Sequence, residues 1–149
     1  MQSLGLFVVR LTTGLIYLLH GIPKLLGGEG KSEQLSETQK QVLGEGFVGA
    51  VEQGGISNTA NMLEGMGVAN PQPMAIALAV TEAAGGLALI LGVKTRPVAI
   101  ALATSQLVAV AKAHGKNGLI AQGGYELNFV LLGSTTGLAL AGPGKLAKD

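Results

Sequence analysis

The chain has 149 residues, 48% of them hydrophobic and only 13% charged, with a mean hydropathy of +0.46. This composition excludes intrinsic disorder, and ten Lys and Arg against nine Asp and Glu leave no basic face to neutralise a nucleic acid backbone, so no nucleic acid partner is expected. The absence of cysteine excludes disulfides, thiolate metal sites, iron–sulfur clusters and a cysteine nucleophile, so any redox chemistry requires a bound cofactor or a partner chain.

Charge is concentrated outside four apolar stretches, at about residues 4–26, 74–93, 97–114 and 126–142. Each approaches the ~20 residues with which a helix crosses ~30 Å of hydrocarbon. The expected fold is therefore all-α: an integral membrane four-helix bundle in one domain over residues 1–149. The first stretch starts without Lys or Arg, carries Arg10 in its apolar run and lacks a small-residue cleavage pattern. It reads as a retained span, not as a signal peptide. Along it Arg10, Thr13, Tyr17, His20 and Lys24 recur at steps of three and four, which draws a polar stripe down one helical face. An Arg facing lipid near the bilayer centre costs at least about 2.5 kcal/mol, so the stripe is expected to face the interior or a wet cavity.

Residues 28–73 form a polar insertion, expected as a loop or short amphipathic helices between spans one and two. Glu29 to Glu45 is rich in Lys, Glu, Gln and Ser and reads as a short exposed helix or a mobile loop. Phe47, Val48, Val51 and Ile56, then Met62, Leu63 and Met66, are spaced for short amphipathic helices at the membrane interface. Gly27-Gly28-Glu29-Gly30-Lys31-Ser32 lacks the glycine spacing of a phosphate loop and reads as a flexible exit from span one. Asn70-Pro71-Gln72-Pro73 then opens span two.

Glu82 falls near the middle of span two, where a carboxylate must pair or protonate. At ~1.5 Å per residue Arg10 lies at a similar depth, so an Arg10–Glu82 pair is expected, either as a packing device or as part of a proton relay. Gly92-Val93-Lys94-Thr95-Arg96 allows only a tight antiparallel turn, Pro97 suits the first turn of span three, and Gly142-Pro143-Gly144 stops span four. Four spans put both termini and the Lys94/Arg96 turn on one face, expected to be cytoplasmic, with Lys145 and Lys148. On the other face lie His20, Lys24, Lys112, His114, Tyr125, Glu126 and Asn128. His20, His114 and Glu126 there have the chemistry to bind quinone carbonyls or relay their protons, since neutral imidazole both donates and accepts. The same groups suit a metal, or the two histidines a haem iron, but no ligand spacing marks them and no metal residues are assigned. Wetting of the histidines by headgroup water, and capping of span four by Glu126, are the plainer readings. Gly86-Leu87-Ala88-Leu89 echoes Gly137-Leu138-Ala139-Leu140, as either a duplicated hairpin or low complexity would produce.

Taken in order, these motifs resemble the DoxX family of small bacterial and archaeal membrane proteins. The resemblance rests on Arg10, His20-Gly21-Ile22-Pro23-Lys24, Glu82 with Gly85-Gly86-Leu87-Ala88-Leu89, and Gly92-Val93-Lys94-Thr95-Arg96. His114, Gly123-Gly124-Tyr125-Glu126 and Gly142-Pro143-Gly144-Lys145 complete it. The chain departs from the family pattern in its Lys/Glu-rich stretch at 29–45, in Lys112, and in the ending Gly144-Lys145-Leu146-Ala147-Lys148-Asp149. The resemblance implies a multi-pass protein of a bacterial or archaeal cell membrane. The family includes a membrane subunit of thiosulfate:quinone oxidoreductase and membrane partners of oxidative-stress enzymes. Arg10, His20, Lys24, Glu82, Arg96, His114 and Glu126 match its typical polar positions. The expected role is thus a quinone-linked component of an oxidoreductase system. Arg10, Glu82, His20, His114 and Glu126 are its candidate catalytic residues, and Tyr17, His20, Lys24, His114 and Tyr125 its candidate quinone contacts. An electron donor is then required. The alternative is a membrane anchor or assembly factor that recruits a soluble enzyme through residues 28–73. A solute carrier is a third reading, and one that calls for a homo-oligomer.

Overall fold

The computed structural model describes residues 2–149. The helices are α1 (Gln2–Leu26), α2 (Glu37–Glu52), α3 (Ile56–Gly65), α4 (Pro71–Leu91), α5 (Thr95–Ala109) and α6 (Glu126–Ala141), and no strand occurs among the described residues. A π-helical turn at Val110–His114 prolongs α5, and short 3-10 turns lie at Lys31–Gln34 and Gly115–Asn117. Among the described residues three helical segments are long and apolar enough to cross a membrane: α1, α4, and α5 with its extension to Asn117. The fourth predicted span, α6, has 16 residues and falls short of that length.

Local chemistry explains the boundaries. Pro71 opens α4, where its missing N–H is no loss, and Pro97 sits within the first turn of α5. Between these helices Gly92 takes a positive φ of 68°, with Val93 N–H bonding Ala88 O and Gly92 N–H bonding Leu89 O, a Schellman ending. Gly142, at φ 82°, ends α6. The helices of the insertion are longer than their spacing predicts. Ser36 and Gln39 form a capping box that starts α2, which bends at Gly44.

The described chain divides into two compact units, Tyr17–Ala84 and residues 2–16 with 85–149, so that α1 and α4 each contribute a segment to both units. In the Tyr17–Ala84 unit, Ala60, Leu63 and Ala75 form a small core with Ile56, Met66, Val68 and Leu78 around it. Pro23 O accepts from both Gly27 N and Gly55 N, and Gly28 N donates to Val51 O, which ties the end of α1 to the α2–α3 corner. In the other unit α5 packs along α6, with Leu102, Leu131, Thr135 and Leu138 buried. Asn128 Nδ2 donates to Gln106 Oε1 at 2.8 Å, a polar link between these two helices. Large apolar residues such as Leu4, Val8, Ile100, Leu107, Phe129 and Val130 are exposed, as lipid-facing positions require.

The predicted flexible exit after α1 is instead clamped. Glu52 accepts from Ser32 Oγ at 2.6 Å, Gly30 N at 2.7 Å and Ser32 N at 3.2 Å. These bonds, the Ser32 hydroxyl first, hold the Glu52 carboxyl below its ordinary pKa. A carboxylate pKa depressed by folding contributes stability that is complete above the unfolded value and is lost as pH falls through the folded one. Hydrogen-exchange protection of the Gly30 and Ser32 amides is therefore expected to be high at neutral pH and to collapse in acid. Glu52→Gln should weaken it at neutral pH and make little further difference in acid, where the carboxylate is already lost.

Candidate functional site

α1 carries the polar stripe, and the structure sorts its members. Arg10, Thr13 and Tyr17 are buried, Lys24 is half-buried and His20 is exposed. Successive residues turn by ~100°, so the buried set centres on the line through Arg10, Gly14, Tyr17 and Gly21, and His20 falls at the edge of that stripe.

In the Tyr17–Ala84 unit, Lys24 Nζ lies 2.5 Å from Glu82 Oε2 and also donates to His20 O at 2.9 Å. The side chains of the pair are 21% and 9% exposed, so screening by solvent is weak. This corrects the expected Arg10–Glu82 pair. Gly21 lies directly against Ala83, which sets Glu82 level with the Gly21–Lys24 turn. Arg10 sits three helical turns nearer the start of α1 and gives its Nη2 proton to Leu146 O at 2.6 Å.

The remaining candidates lie in the other unit. His114, at the end of the π-turn, places Nδ1 3.0 Å from Gly123 O, and Asn117 Nδ2 donates to the same carbonyl at 2.8 Å. With Nδ1 donating, neutral His114 presents Nε2 as an acceptor. Tyr125 is half-buried and directly precedes α6, its backbone N–H bonded to Gly118 O. Glu126 is exposed in the first turn of α6, where its charge suits the helix dipole. Arg96 binds Ala139 O and Leu140 O at the opposite end of α6, the matching cation. Among the described residues no three His, Asp or Glu side chains converge as a metal site requires.

The family model of DoxX matches residues 5–115. The chain belongs to the DoxX family. Its three apolar helices accord with that membership, and together they make this DoxX chain a membrane protein. No curated protein and no solved structure matches it. Arg10, Tyr17, His20, Lys24, Glu82 and His114 lie within the DoxX match, whereas Tyr125 and Glu126 lie beyond it. Three polar links of the DoxX chain have no expression as a sequence motif: the Glu52 clamp, the Gln106–Asn128 bond and the Leu146 carbonyl on Arg10. The short polar side chain of Asn128 opposite Gln106, each within an apolar stretch, is the one signal that could have found any of them.

Proposed function

We propose that this DoxX chain is a four-span, multi-pass protein of a bacterial or archaeal cell membrane, forming one membrane domain over residues 1–149. It serves there as a quinone-linked component of an oxidoreductase system. The fourth span is α6, whose 16 residues reach ~24 Å. A modest local thinning of the bilayer accommodates that length, and its exposed Leu127, Phe129, Val130 and Leu140 face the lipid.

The Lys24–Glu82 pair carries the reading. Of the three Lys24 ammonium protons, one goes to Glu82 and one to His20 O, which leaves one for a quinone carbonyl. Two-electron reduction of a quinone takes up two protons, so Glu82 would hand protons to the quinone beside it, and His20, exposed one turn away, is the route by which they arrive from solvent. Tyr17 lines the same face of α1. A bound quinone would supply the two-electron chemistry, and the electrons come from a soluble partner enzyme.

Purified protein titrated with a lipid-soluble quinone in nanodiscs tests this reading. Saturable binding is expected, weakened at least about tenfold by Glu82→Gln, because Lys24 loses the carboxylate that aims its remaining proton and with it the charge-assisted bond to the quinone carbonyl. Binding that is absent, or indifferent to Glu82→Gln and His20→Ala, sinks it. The second reading, a membrane anchor for a soluble enzyme, is favoured by the open hollow on α2 lined by Glu37, Lys40, Gln41, Glu45 and Val48. Intact capture of an enzyme by a Glu82→Gln protein that binds no quinone selects it.

A further inference from the structure

Arg10 is fully buried, yet among the described residues the Leu146 carbonyl is its single hydrogen-bond partner, and its Nε and Nη1 atoms are enclosed with none. Among the described residues no carboxylate pairs with it; the Phe7 ring, its centre 5.8 Å from the guanidinium carbon, offers a cation–π face but no negative charge. A buried charge left without a counter-charge is strongly penalised by the loss of its hydration, so its retention calls for a compensating group. A water molecule satisfies donors but not charge. An oxyanion satisfies both.

The surroundings fit that guest. Gly92 is cut away beneath the guanidinium: at φ 68° it admits few other residues, and a Cβ there would overlap Nη1. Residues 143–149 lie over the site as a strap. Lys145 N bonds Ser3 Oγ, Lys148 N bonds Gly92 O at 2.9 Å, and Asp149 takes the Thr95 N–H at 2.8 Å. The strap and the α4–α5 turn bring Lys94, Arg96, Lys145 and Lys148 to this end of the unit, against Asp149, whose carboxylate is held on a backbone amide. The strap leaves α6 through Gly142 and Gly144, both at positive φ.

We propose that Arg10 is an oxyanion-binding site closed by the 143–149 strap. The Leu146 carbonyl stands where one oxygen of a phosphate group binds, and the guest displaces it. The group belongs to a lipid headgroup or to a soluble phosphate. None of these residues belongs to the Lys24–Glu82 pair, so the proposal stands apart from the quinone reading.

The chain has two arginines, Arg10 and Arg96, so their Nε–H resonances are separable by NMR in the full-length protein, with Arg96→Lys giving the assignment. In uncharged detergent, one sample receives inorganic phosphate and another phosphatidylglycerol. A saturable downfield shift of the Arg10 signal is expected. Its appearance with phosphate identifies a soluble oxyanion, and its appearance with phosphatidylglycerol alone identifies a lipid headgroup. No Arg10 shift in either sample overturns the site. Lys148→Pro removes the Lys148 N–H bond to Gly92 and also one positive charge. Release of the strap predicts about fivefold tighter binding of the effective probe, whereas the charge change alone predicts weaker binding. Unchanged or weaker binding overturns the strap. Arg10→Lys keeps the charge but loses the fork, and should abolish stabilisation of the protein against heat by the same probe.

Discussion

Glu82→Gln is expected to destabilise the detergent-solubilised protein by about 2–3 kcal/mol, a large share of the total stability of a small domain. The loss arises because Lys24 is left with its charge and a weaker acceptor, in a setting where its side chain is only 21% exposed. Lys24→Met should cost a similar amount by stranding the carboxylate. The double variant Lys24→Met, Glu82→Gln should recover much of the loss, since removal of both charges also removes the desolvation penalty. Unfolding in sodium dodecyl sulfate, followed by circular dichroism, measures all four proteins. A coupling free energy of at least about 1 kcal/mol is expected for Lys24 with Glu82. Arg10→Gln combined with Glu82→Gln should instead be additive, because Arg10 is held by Leu146 O and Glu82 by Lys24. Additivity of the Lys24 and Glu82 changes would refute the pair.

The contrast between those two double variants marks the limit of what the residues alone disclose. That α1, α4, α5 and α6 form is written in apolar runs, and the starts of α4 and α5 in Pro71 and Pro97 and the ends of α4 and α6 in Gly92 and Gly142, because these are local preferences. Helix register is not local. Equal depths inferred from span ends placed Glu82 opposite Arg10, but the Gly21–Ala83 approach brings it to Lys24. Likewise the three-and-four spacing identified a polar stripe but not its width. Arg10, Thr13 and Tyr17 are inside it, and His20, turned ~80° from Arg10 about the helix axis, is not. The Leu146 carbonyl on Arg10 joins residues 136 positions apart, and the Ser32–Glu52 bond joins residues 20 apart. No periodicity encodes either. The family was legible for a different reason: the order of short motifs along the chain survives even where their partners in space cannot be named.

Gly21→Val should have an effect of comparable size, by overpacking. A Cβ on Gly21 would overlap the Ala83 backbone nitrogen and lie 2.7 Å from Ala83 Cα, and neither atom can swing aside as a side-chain tip would. The two helices must then separate. Gly21→Ala is expected to cost about 2 kcal/mol and Gly21→Val about 3 kcal/mol, the upper end for inserting methyl groups into a filled interior. In lipid the approach matters more than its area suggests, since backbone contact between helices replaces the hydrophobic drive that water supplies elsewhere. It also governs the ion pair. Lys24 and Glu82 meet within one turn of Gly21 and Ala83, so parting the helices lengthens the Lys24–Glu82 bond and admits water. The coupling of Lys24 with Glu82 should therefore shrink toward zero in a Gly21→Val background. Gly133→Ala in α6 is the control: nothing lies within 4 Å of its Cβ, so helix propensity alone acts and stability should rise by about 0.5–1 kcal/mol. If Gly21→Val proved as harmless as Gly133→Ala, α1 and α4 could not approach at Gly21, and the pairing of Lys24 with Glu82 would lose the contact that sets its register.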